Sequence, residues 1–236
     1  MKQIANYINE KLHVTSKSFY SCKPKTKEEL QKIIIQRIEE FGPECDLNDI
    51  DVSNITDMST LFNAIPYWGH AIFKDFNGDI SMWNVSNVTN MERMFYTCKE
   101  FNCDISRWDV SNVIDMHNMF DECEKFNCDI SRWDVSNVKD MQYMFDECKD
   151  FNGNVSQWDV SNVTNMECMF RKCEKFNCDI SRWDVSNVEN MDRMFWYCKS
   201  FRHNLDMWGV SNITNMNNTF YKCPAKPRWY DRNKWE

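Results

Sequence analysis

The chain has 236 residues and a formal net charge of -8, with 42% hydrophobic and 27% charged residues. This composition is typical of a folded protein that is long enough to bury a full core. Acidic residues outnumber basic ones over the central part of the chain, and an acidic body repels phosphates, so the sequence argues against nucleic-acid binding.

The N-terminus is predicted to form an amphipathic helix, because Ile4, Tyr7, Ile8 and Leu12 have helical spacing. No apolar run has the length of a membrane span, and the segment does not have the pattern of a secretion signal. The sequence therefore predicts a cytoplasmic protein without membrane insertion. It predicts a cell-surface protein only if an export signal has been removed.

A second helix is predicted over KEELQKIIIQRIEEF. Thr26 and Glu29 have the spacing of a capping box, and Gly42 stands where the helix would end. The predicted apolar face consists of Leu30, Ile33, Ile34, Ile38 and Phe41. We interpret residues 1–45 as a helical N-terminal cap.

The rest of the chain is dominated by an internal repeat. Tryptophan recurs every 25 residues from Trp83 to Trp208, and the triplet VSN begins seven times between Val52 and Val210, with 33 residues between its first two occurrences. The phrase FNCDISRWDVSNV is identical at residues 101–113, 126–138 and 176–188. A fixed period of this length is the signature of a solenoid, in which each unit buries its apolar face against its neighbours.

Each unit is predicted to contain a strand, a turn and a short helix. In residues 107–110, Trp108 and Val110 would point inward and Arg107 and Asp109 outward. The predicted helix buries one face, which consists of Met91, Met94, Phe95 and Cys98. Capping boxes are predicted for it at the pairs Thr89–Glu92 and Thr164–Glu167.

The solenoid is predicted to span residues 46–223, followed by a different segment at residues 224–236. Prolines interrupt the repeat in this last segment, and Trp229, Tyr230 and Trp235 could cover the last unit. We interpret it as a C-terminal cap. The fold class expected is an α/β repeat solenoid, a leucine-rich-repeat-like stack of seven strand-turn-helix units with a helical N-terminal cap.

The repeats, with FNGDISMWNVSNVTNMERMF and DLNDIDVSNITDM as examples, resemble the BspA-like (DUF285) leucine-rich-repeat-like family. The resemblance implies a leucine-rich-repeat-like solenoid and a role in protein interaction. Many members of that family are bacterial surface proteins or lipoproteins. The family has no common catalytic residues to transfer to this chain.

Two columns of cysteine and one of asparagine recur with the repeat. The cysteines at Cys98, Cys123, Cys148, Cys173, Cys198 and Cys223 lie on the predicted apolar stripe, so buried thiols are favoured, with disulfides and a metal site as alternatives. A second, incomplete column contains Cys103, Cys128 and Cys178. The asparagines from Asn87 to Asn212 are interpreted as a ladder that bonds turn backbones, with calcium binding as the alternative.

The outward positions of the predicted strand are candidate partner-binding residues, and they consist of Met82, Arg107, Asp109, Arg132, Asp134, Gln157, Asp159, Arg182, Asp184 and Met207. The alternative is a self-neutralising salt lattice of Arg and Asp columns. Positions between the apolar helix residues vary between repeats, which indicates a solvated outer face. On or near that face, Tyr96, Tyr143 and Trp196 could form an interaction patch.

The sequence predicts a non-enzymatic protein–protein interaction scaffold with a protein partner of unknown identity. No nucleophile–base pair, phosphate loop or metal motif indicates an enzyme, a metal or another cofactor. The partner could bind the strand face, the outer helices or the insertion around Tyr67-Trp68. The alternatives are a bacterial surface adhesin whose export signal is missing and a self-assembling structural protein. The scaffold hypothesis is compatible with a monomer.

Overall fold

The computed structural model describes residues 20–64 and 70–235, and the predicted helix around residues 4–12 and the Tyr67-Trp68 pair lie outside these ranges. Three helices are present in the described residues: the α-helix α1 at Lys27–Phe41, a 3₁₀-helix at Ala71–Phe73 and the short α-helix α2 at Arg232–Trp235. All β-structure in these ranges consists of isolated parallel bridges.

Helix α1 confirms the second predicted helix and its bounds. The Thr26 side chain accepts a hydrogen bond from the backbone N–H of Glu29, and the N–H of Gly42 bonds to the carbonyl of Ile38. Leu30, Ile34 and Ile38 are buried, whereas the side chain of Phe41 is 62% exposed. Phe41 was therefore wrongly assigned to the buried face, because the helix ends at this residue and leaves it beyond the core.

The repeats are joined to one another by a backbone ladder. Parallel bridges link the equivalent positions of successive repeats: Asp57, Asn90, Asp115, Asp140, Asn165, Asn190 and Asn215. Four backbone N–H groups of each repeat then donate to the next one, and in the first regular pair these bonds run from Met91 to Asp115, Arg93 to His117, Phe95 to Met119 and Thr97 to Asp121. Each repeat thus lies directly on its neighbour in this stretch.

The helix predicted within each repeat is wrong, and a run of tight turns replaces it. Met94, Tyr96 and Cys98 donate backbone hydrogen bonds to the residues three positions earlier, and the residues between them donate to the next repeat. Met91, Met94, Phe95 and Cys98 are nevertheless fully buried, as expected. The spacing of these residues is compatible with a helix and with tight turns. In a helix the backbone N–H groups would bond within the segment, whereas tight turns leave alternate N–H groups free to donate to the neighbouring repeat. A helix of only two turns has too few internal bonds to compete.

The turns hold two residues at positive φ in each repeat from Met91 onward, and one, Thr60, in the first repeat. Arg93 has φ 51° and Thr97 has φ 63°, and the equivalent residues of the following repeats have similar values. Position three of a type II turn requires this conformation, which is unfavourable for residues other than glycine. The predicted capping boxes are also wrong: the side chains of Asn90 and Asn165 accept from the N–H groups of Glu92 and Glu167.

The stretch predicted as a strand, residues 107–110, makes no backbone bridge. Side chains join the repeats here instead. The indole Nε1 of Trp108 donates to the carbonyl of Ile80 at 3.2 Å, and the Nδ2 of Asn112 donates to the carbonyl of Ser86 at 2.8 Å. Trp108 and Val110 point inward as predicted. The Asn ladder is also confirmed, since six asparagines from Asn87 to Asn212 make the same bond.

Aromatic rings fill the core along the direction of the repeats. Trp83 and Trp108 stack with ring centroids 6.5 Å apart and only 1° between their planes. Within a repeat, Phe95 and Phe101 stack at 3.9 Å. Stacks of this kind add stability to the burial of the rings themselves.

Both ends of the core are in contact with other segments. At one end, α1 buries its apolar face in the core, and the Gln31 side chain donates to the carbonyl of Leu61. At the other end, Trp229 stacks on Trp208 at 6.4 Å and donates its Nε1 proton to the carbonyl of Leu205. Trp229 therefore continues the tryptophan ladder beyond the last repeat.

Candidate functional site

The predicted partner-binding residues lie in exposed columns that follow the repeats, and we call this surface the column face. Met82 is 62% exposed and Met207 is 88% exposed, and the eight predicted residues between them are also exposed. They therefore share one accessible surface, as expected from the outward positions of the repeat. Their role in partner binding stays a prediction.

The salt lattice considered for the column face is absent. None of the ion pairs among residues 20–64 and 70–235 joins the arginines Arg107, Arg132 and Arg182 to the aspartates of the neighbouring column. The aspartates are turn residues instead. Asp109 accepts from the backbone N–H of Ser111 at 3.1 Å and from its hydroxyl at 2.6 Å, and these bonds lower the pKa of Asp109.

A second surface lies over the backbone ladder. We call it the ladder face, and it consists of residues 92, 93, 96 and 97 and their equivalents at each 25-residue step. Its residues differ from repeat to repeat: position 96 is followed along the stack by Asp121, Asp146, Arg171, Trp196 and Tyr221. By contrast, the thirteen residues of the repeated phrase are identical in three units. Variation within the described repeats is therefore greater on this face than in the repeated phrase.

The interpretation of these positions as a solvated outer face is wrong. Most of them are half-buried, and Asp121 and Asp146 are only 5% and 1% exposed. Each of the four ladder-face positions lies beside the equivalent position of the next repeat, at the spacing of a parallel ladder. The side chains of successive repeats therefore shield one another from solvent. The signal that could have found this arrangement was the charge pattern, since oppositely charged residues stand one repeat apart.

Ion pairs between repeats cross the ladder face and its margin. Lys99 and Lys149 both contact Glu124, at 2.8 and 2.7 Å, from the repeats on either side. Lys175 contacts Asp150 at 2.6 Å, and Lys172 pairs with Glu147. Partly exposed pairs of this kind each contribute little, roughly 0–1 kcal/mol, but together they fix which repeat residues face one another.

The most strongly perturbed groups of the ladder face are two buried aspartates. Arg171 neutralises Asp146, with its Nε 2.8 and 2.9 Å from the two carboxylate oxygens. Burial raises the pKa of Asp146 to about 6 in spite of this pair. Asp121 has no such cation and accepts a hydrogen bond from the Nδ2 of Asn118 at 2.7 Å. Burial and the charge of Asp146 raise the pKa of Asp121 to about 8.

Aromatic side chains occupy the C-terminal half of the ladder face. We call Trp196, Tyr197 and Tyr221 the aromatic patch, in which Trp196 and Tyr197 have ring centroids 4.1 Å apart and Trp196 and Tyr221 6.1 Å. The Nζ of Lys222 lies 4.5 Å from the centroid of the Tyr197 ring. Half-buried tryptophan and tyrosine beside cations form the composition that recurs at the energetic centres of protein interfaces.

The repeats of this chain match one known protein family. The family described as "Mycoplasma protein of unknown function, DUF285" matches residues 28–152 and 124–233, which together include every repeat-to-repeat bridge from Asp57 to Asn215. The chain belongs to the DUF285 family. The resemblance inferred from its repeats is thereby confirmed. No curated protein and no solved structure shows significant similarity to this chain.

The cysteine column of this DUF285 protein is part of its framework. Cys98, Cys123, Cys148, Cys173 and Cys198 are fully buried, and each thiol donates to a phenylalanine carbonyl of the preceding repeat at 2.7–3.0 Å. Burial raises the pKa of these thiols well above the usual value. The sulfurs of Cys103 and Cys128 instead accept from the backbone N–H groups of Ile80 and Ile105.

The described residues of the DUF285 protein offer neither a metal cluster nor a membrane-spanning helix. In residues 20–64 and 70–235, no group of three or more His, Cys, Asp or Glu side chains is arranged to hold a metal ion. None of the helices in the same ranges has the length and apolar character needed to cross a bilayer.

Proposed function

We propose that this DUF285 protein is a non-enzymatic scaffold that binds another protein through its ladder face, with its repeats stacked as one solenoid. The observation that carries the proposal is the contrast between the variable ladder face and the repeated phrase FNCDISRWDVSNV. Stacked repeats create extended surfaces for binding. A scaffold of this type keeps the residues that hold the stack and varies those that meet the partner.

The continuous stack is supported by the bonds between repeats. Backbone N–H groups, tryptophan indoles, asparagine amides and cysteine thiols all reach the preceding or following repeat. These residues recur at the same position of each unit because each unit must satisfy the same buried carbonyls. The identical residues are thereby accounted for by structure, without a catalytic role.

Contacts at both ends favour a scaffold that acts without end-to-end assembly. Helix α1 buries Leu30, Ile34 and Ile38 against the first repeat, and Trp229 and Tyr230 pack on the last. Covered ends remove the open surface on which a second copy could stack. This arrangement favours the interaction scaffold over the self-assembling structural protein.

The experiment that tests the proposal is affinity capture from the native host lysate, with identification by mass spectrometry. The protein is compared with a ladder-face variant that carries Tyr197→Ala, Tyr221→Ala and Lys222→Glu. The matched control is a column-face variant that carries Arg107→Glu, Arg132→Glu and Arg182→Glu. Circular dichroism spectra establish that all three proteins are folded.

We expect one specific protein to be retained by the unaltered chain and the column-face variant and lost by the ladder-face variant. Loss with the column-face variant alone would move the binding surface to the column face, against the proposal. Equal retention by all three proteins would show that neither the aromatic patch nor the column face carries the interaction. Retention of nothing specific by any of them would contradict the scaffold function.

A further inference from the structure

Four of the described carboxylates on the ladder face and on the bridge positions beside it lack lysine and arginine partners. We call them the acidic patch, which consists of Asp115, Asp121, Glu122 and Asp140. In the part of the chain that the structure describes, no lysine or arginine forms an ion pair with any of these four residues. Asp115 instead contacts the Nδ1 of His117 at 2.7 Å. The patch therefore has an excess of carboxyl groups, of which Asp121, with its pKa of about 8, is largely protonated at neutral pH.

The next repeats show how this fold satisfies such a carboxylate. The guanidinium of Arg171 binds Asp146 and lies 6.0 Å from the ring centroids of both Tyr143 and Trp196. A buried carboxylate, a guanidinium and aromatic rings are thus combined within the chain itself. Guanidinium groups suit this environment because they bind carboxylates through two parallel bonds and stack on aromatic faces.

Asp121 has two of these three components. It is the residue equivalent to Asp146 one repeat earlier, and Tyr96 is the residue one repeat before Asp121. The backbone N–H of Thr97 donates to the carbonyl of Asp121 at 2.8 Å, which places Tyr96 beside Asp121 in the ladder. Burial, followed by the negative charges of Asp121 and Glu122, raises the pKa of Tyr96. What Asp121 lacks is the cation that Arg171 supplies to Asp146.

We propose that the partner is a protein with an exposed arginine- or lysine-bearing segment, which lies across the acidic patch and sets one cation against Asp121 and Tyr96. This inference rests on the proposed function and names the chemistry of the partner. The segment would cross the repeats over Glu122 and Asp140, and its remaining positive charges would meet these carboxylates. Charge complementarity of this kind selects partners and accelerates their association.

The charged groups around Asp121 determine how such binding depends on pH. Its carboxylate faces Asp146, Glu122, Arg171 and Tyr96, and the buried thiols Cys123 and Cys148 lie on the core side. Burial and Asp146 raise the pKa of Asp121 to about 8, so most of the population carries a proton there at neutral pH. A bound cation favours the ionised form, and its binding therefore releases this proton and tightens as the pH rises to about 9.

The test uses an acetylated, amidated arginine–glycine repeat peptide with isothermal titration calorimetry on the full chain. The variant carries Asp121→Asn and Glu122→Gln. The matched control carries Asp109→Asn and Asp134→Asn on the column face, which changes the net charge by the same amount. We expect the first pair to weaken binding by roughly tenfold or more and the second to change it much less.

Two further readouts separate a built site from general attraction to an acidic protein. Titrations in buffers with different ionisation enthalpies should show proton release on binding, and the Asp121→Asn variant should lose that release. A glutamate–glycine peptide should not bind. Equal weakening by both variants, binding without proton release, or no binding of the arginine peptide would each overturn the inference.

The outcome is distinguishable from that of the proposed function. If the lysate experiment identifies a partner that the ladder-face variant loses while the acidic-patch variant retains it, the scaffold function holds and the cationic partner does not. If the partner is lost by both, the partner's own basic segment can be synthesised and titrated in place of the model peptide. A partner segment that binds the Asp121→Asn, Glu122→Gln variant as tightly as the unaltered chain would overturn the inference.

Discussion

The indole Nε1 of Trp133 donates a hydrogen bond to the backbone carbonyl of Ile105, 28 residues earlier, at 3.2 Å. The same bond recurs from Trp83 to Trp208 along the stack. Each tryptophan thus fills the core of its own repeat and satisfies a buried carbonyl of the preceding one. This double role explains why no other aromatic residue replaces it.

Replacement of Trp133 by Ala should lower the free energy of unfolding by roughly 3–5 kcal/mol, because it leaves a cavity and an unsatisfied carbonyl. The neighbouring Arg132→Ala, whose side chain is exposed, should change it by no more than about 0.5 kcal/mol. Chemical denaturation followed by tryptophan fluorescence and circular dichroism measures both values. Equal losses in the two variants would contradict the inward and outward positions of these residues.

The sequence predicted which residues are buried better than it predicted the backbone between them. Met91, Met94, Phe95 and Cys98 are all buried as their spacing required. That spacing is shared by one face of a helix and by two consecutive tight turns, so periodicity could not distinguish them. The choice depends on the backbone partners that the next repeat offers, and these follow from the stack rather than from any one unit.

The same limit applies to the candidate surfaces. The exposure of Arg107 and Asp109 followed from alternation along the chain. The ion pair of Arg171 with Asp146 joins residues 25 positions apart, and its effect on the surface depends on how closely successive repeats approach. The turn residues at positive φ, such as Arg93 and Thr97, carried no glycine signal and were therefore missed.

Thr97 is held in an unfavourable conformation. It has φ 63°, and its hydroxyl oxygen is buried without a hydrogen-bond partner. A β-branched residue is poorly suited to the left-handed region, whereas glycine is not. Thr97→Gly should raise the free energy of unfolding by about 0.5–1 kcal/mol, as measured by urea denaturation.

The matched control for Thr97 is Thr164→Gly. Thr164 is not among the positive-φ residues of the described ranges, and its hydroxyl donates to the carbonyl of Lys139 at 3.3 Å. Glycine there adds conformational freedom to the unfolded chain and removes this hydrogen bond, so the variant should lose roughly 0.5–1.5 kcal/mol. Destabilisation of similar size in both variants would show that Thr97 is not strained.

Arg171 stabilises the stack by neutralising Asp146. Because Asp146 is only 1% exposed, Arg171→Met leaves a buried carboxylate without a cation and should lower the free energy of unfolding by roughly 3–5 kcal/mol at neutral pH. Adding Asp146→Asn in the same chain removes the charge and should restore most of this loss. Thermal and urea denaturation of the single and double variants measure the coupling.

The control for Arg171 is Lys172→Met. Lys172 pairs with Glu147, and both side chains are partly exposed, so its loss should change stability by no more than about 1 kcal/mol. Should Arg171→Met prove as mild as Lys172→Met, the Asp146 carboxylate would have to be hydrated or protonated rather than dependent on its arginine.

The cysteine column should be chemically inert in the folded protein. Cys123 and Cys148 are fully buried, and burial raises the pKa of both thiols. Only thiolates react with iodoacetamide, so these residues should stay unmodified at neutral pH and react after denaturation. Peptide mapping by mass spectrometry follows each thiol. Modification of Cys123 at a rate similar to that of the denatured chain would contradict its burial.

Asp121 should make the protein less stable as the pH rises. Its folded-state pKa of about 8 lies above the usual value of about 4, so the folded protein holds the proton more tightly than the unfolded chain does. The free energy of unfolding contributed by this group is highest below about pH 4 and falls as the pH rises toward about 8. Asp121→Asn removes this dependence and should be more stable than the unaltered chain by roughly 1–3 kcal/mol at neutral pH.

Asp109→Asn is the control of opposite sign for Asp121→Asn. Hydrogen bonds from the Ser111 side chain and backbone lower the pKa of Asp109, so its ionised form favours the folded state. The stability that Asp109 contributes is present above the unfolded-state pKa and is lost as the pH falls, and its Asn variant should be less stable than the unaltered chain at neutral pH. Urea denaturation from about pH 4 to about pH 9 measures both variants. If Asp121→Asn gave no gain in stability at neutral pH, the Asp121 carboxylate would be solvated in the free protein. The repulsion between Asp121 and Asp146 would then be too weak for a cationic partner to gain affinity by offsetting it.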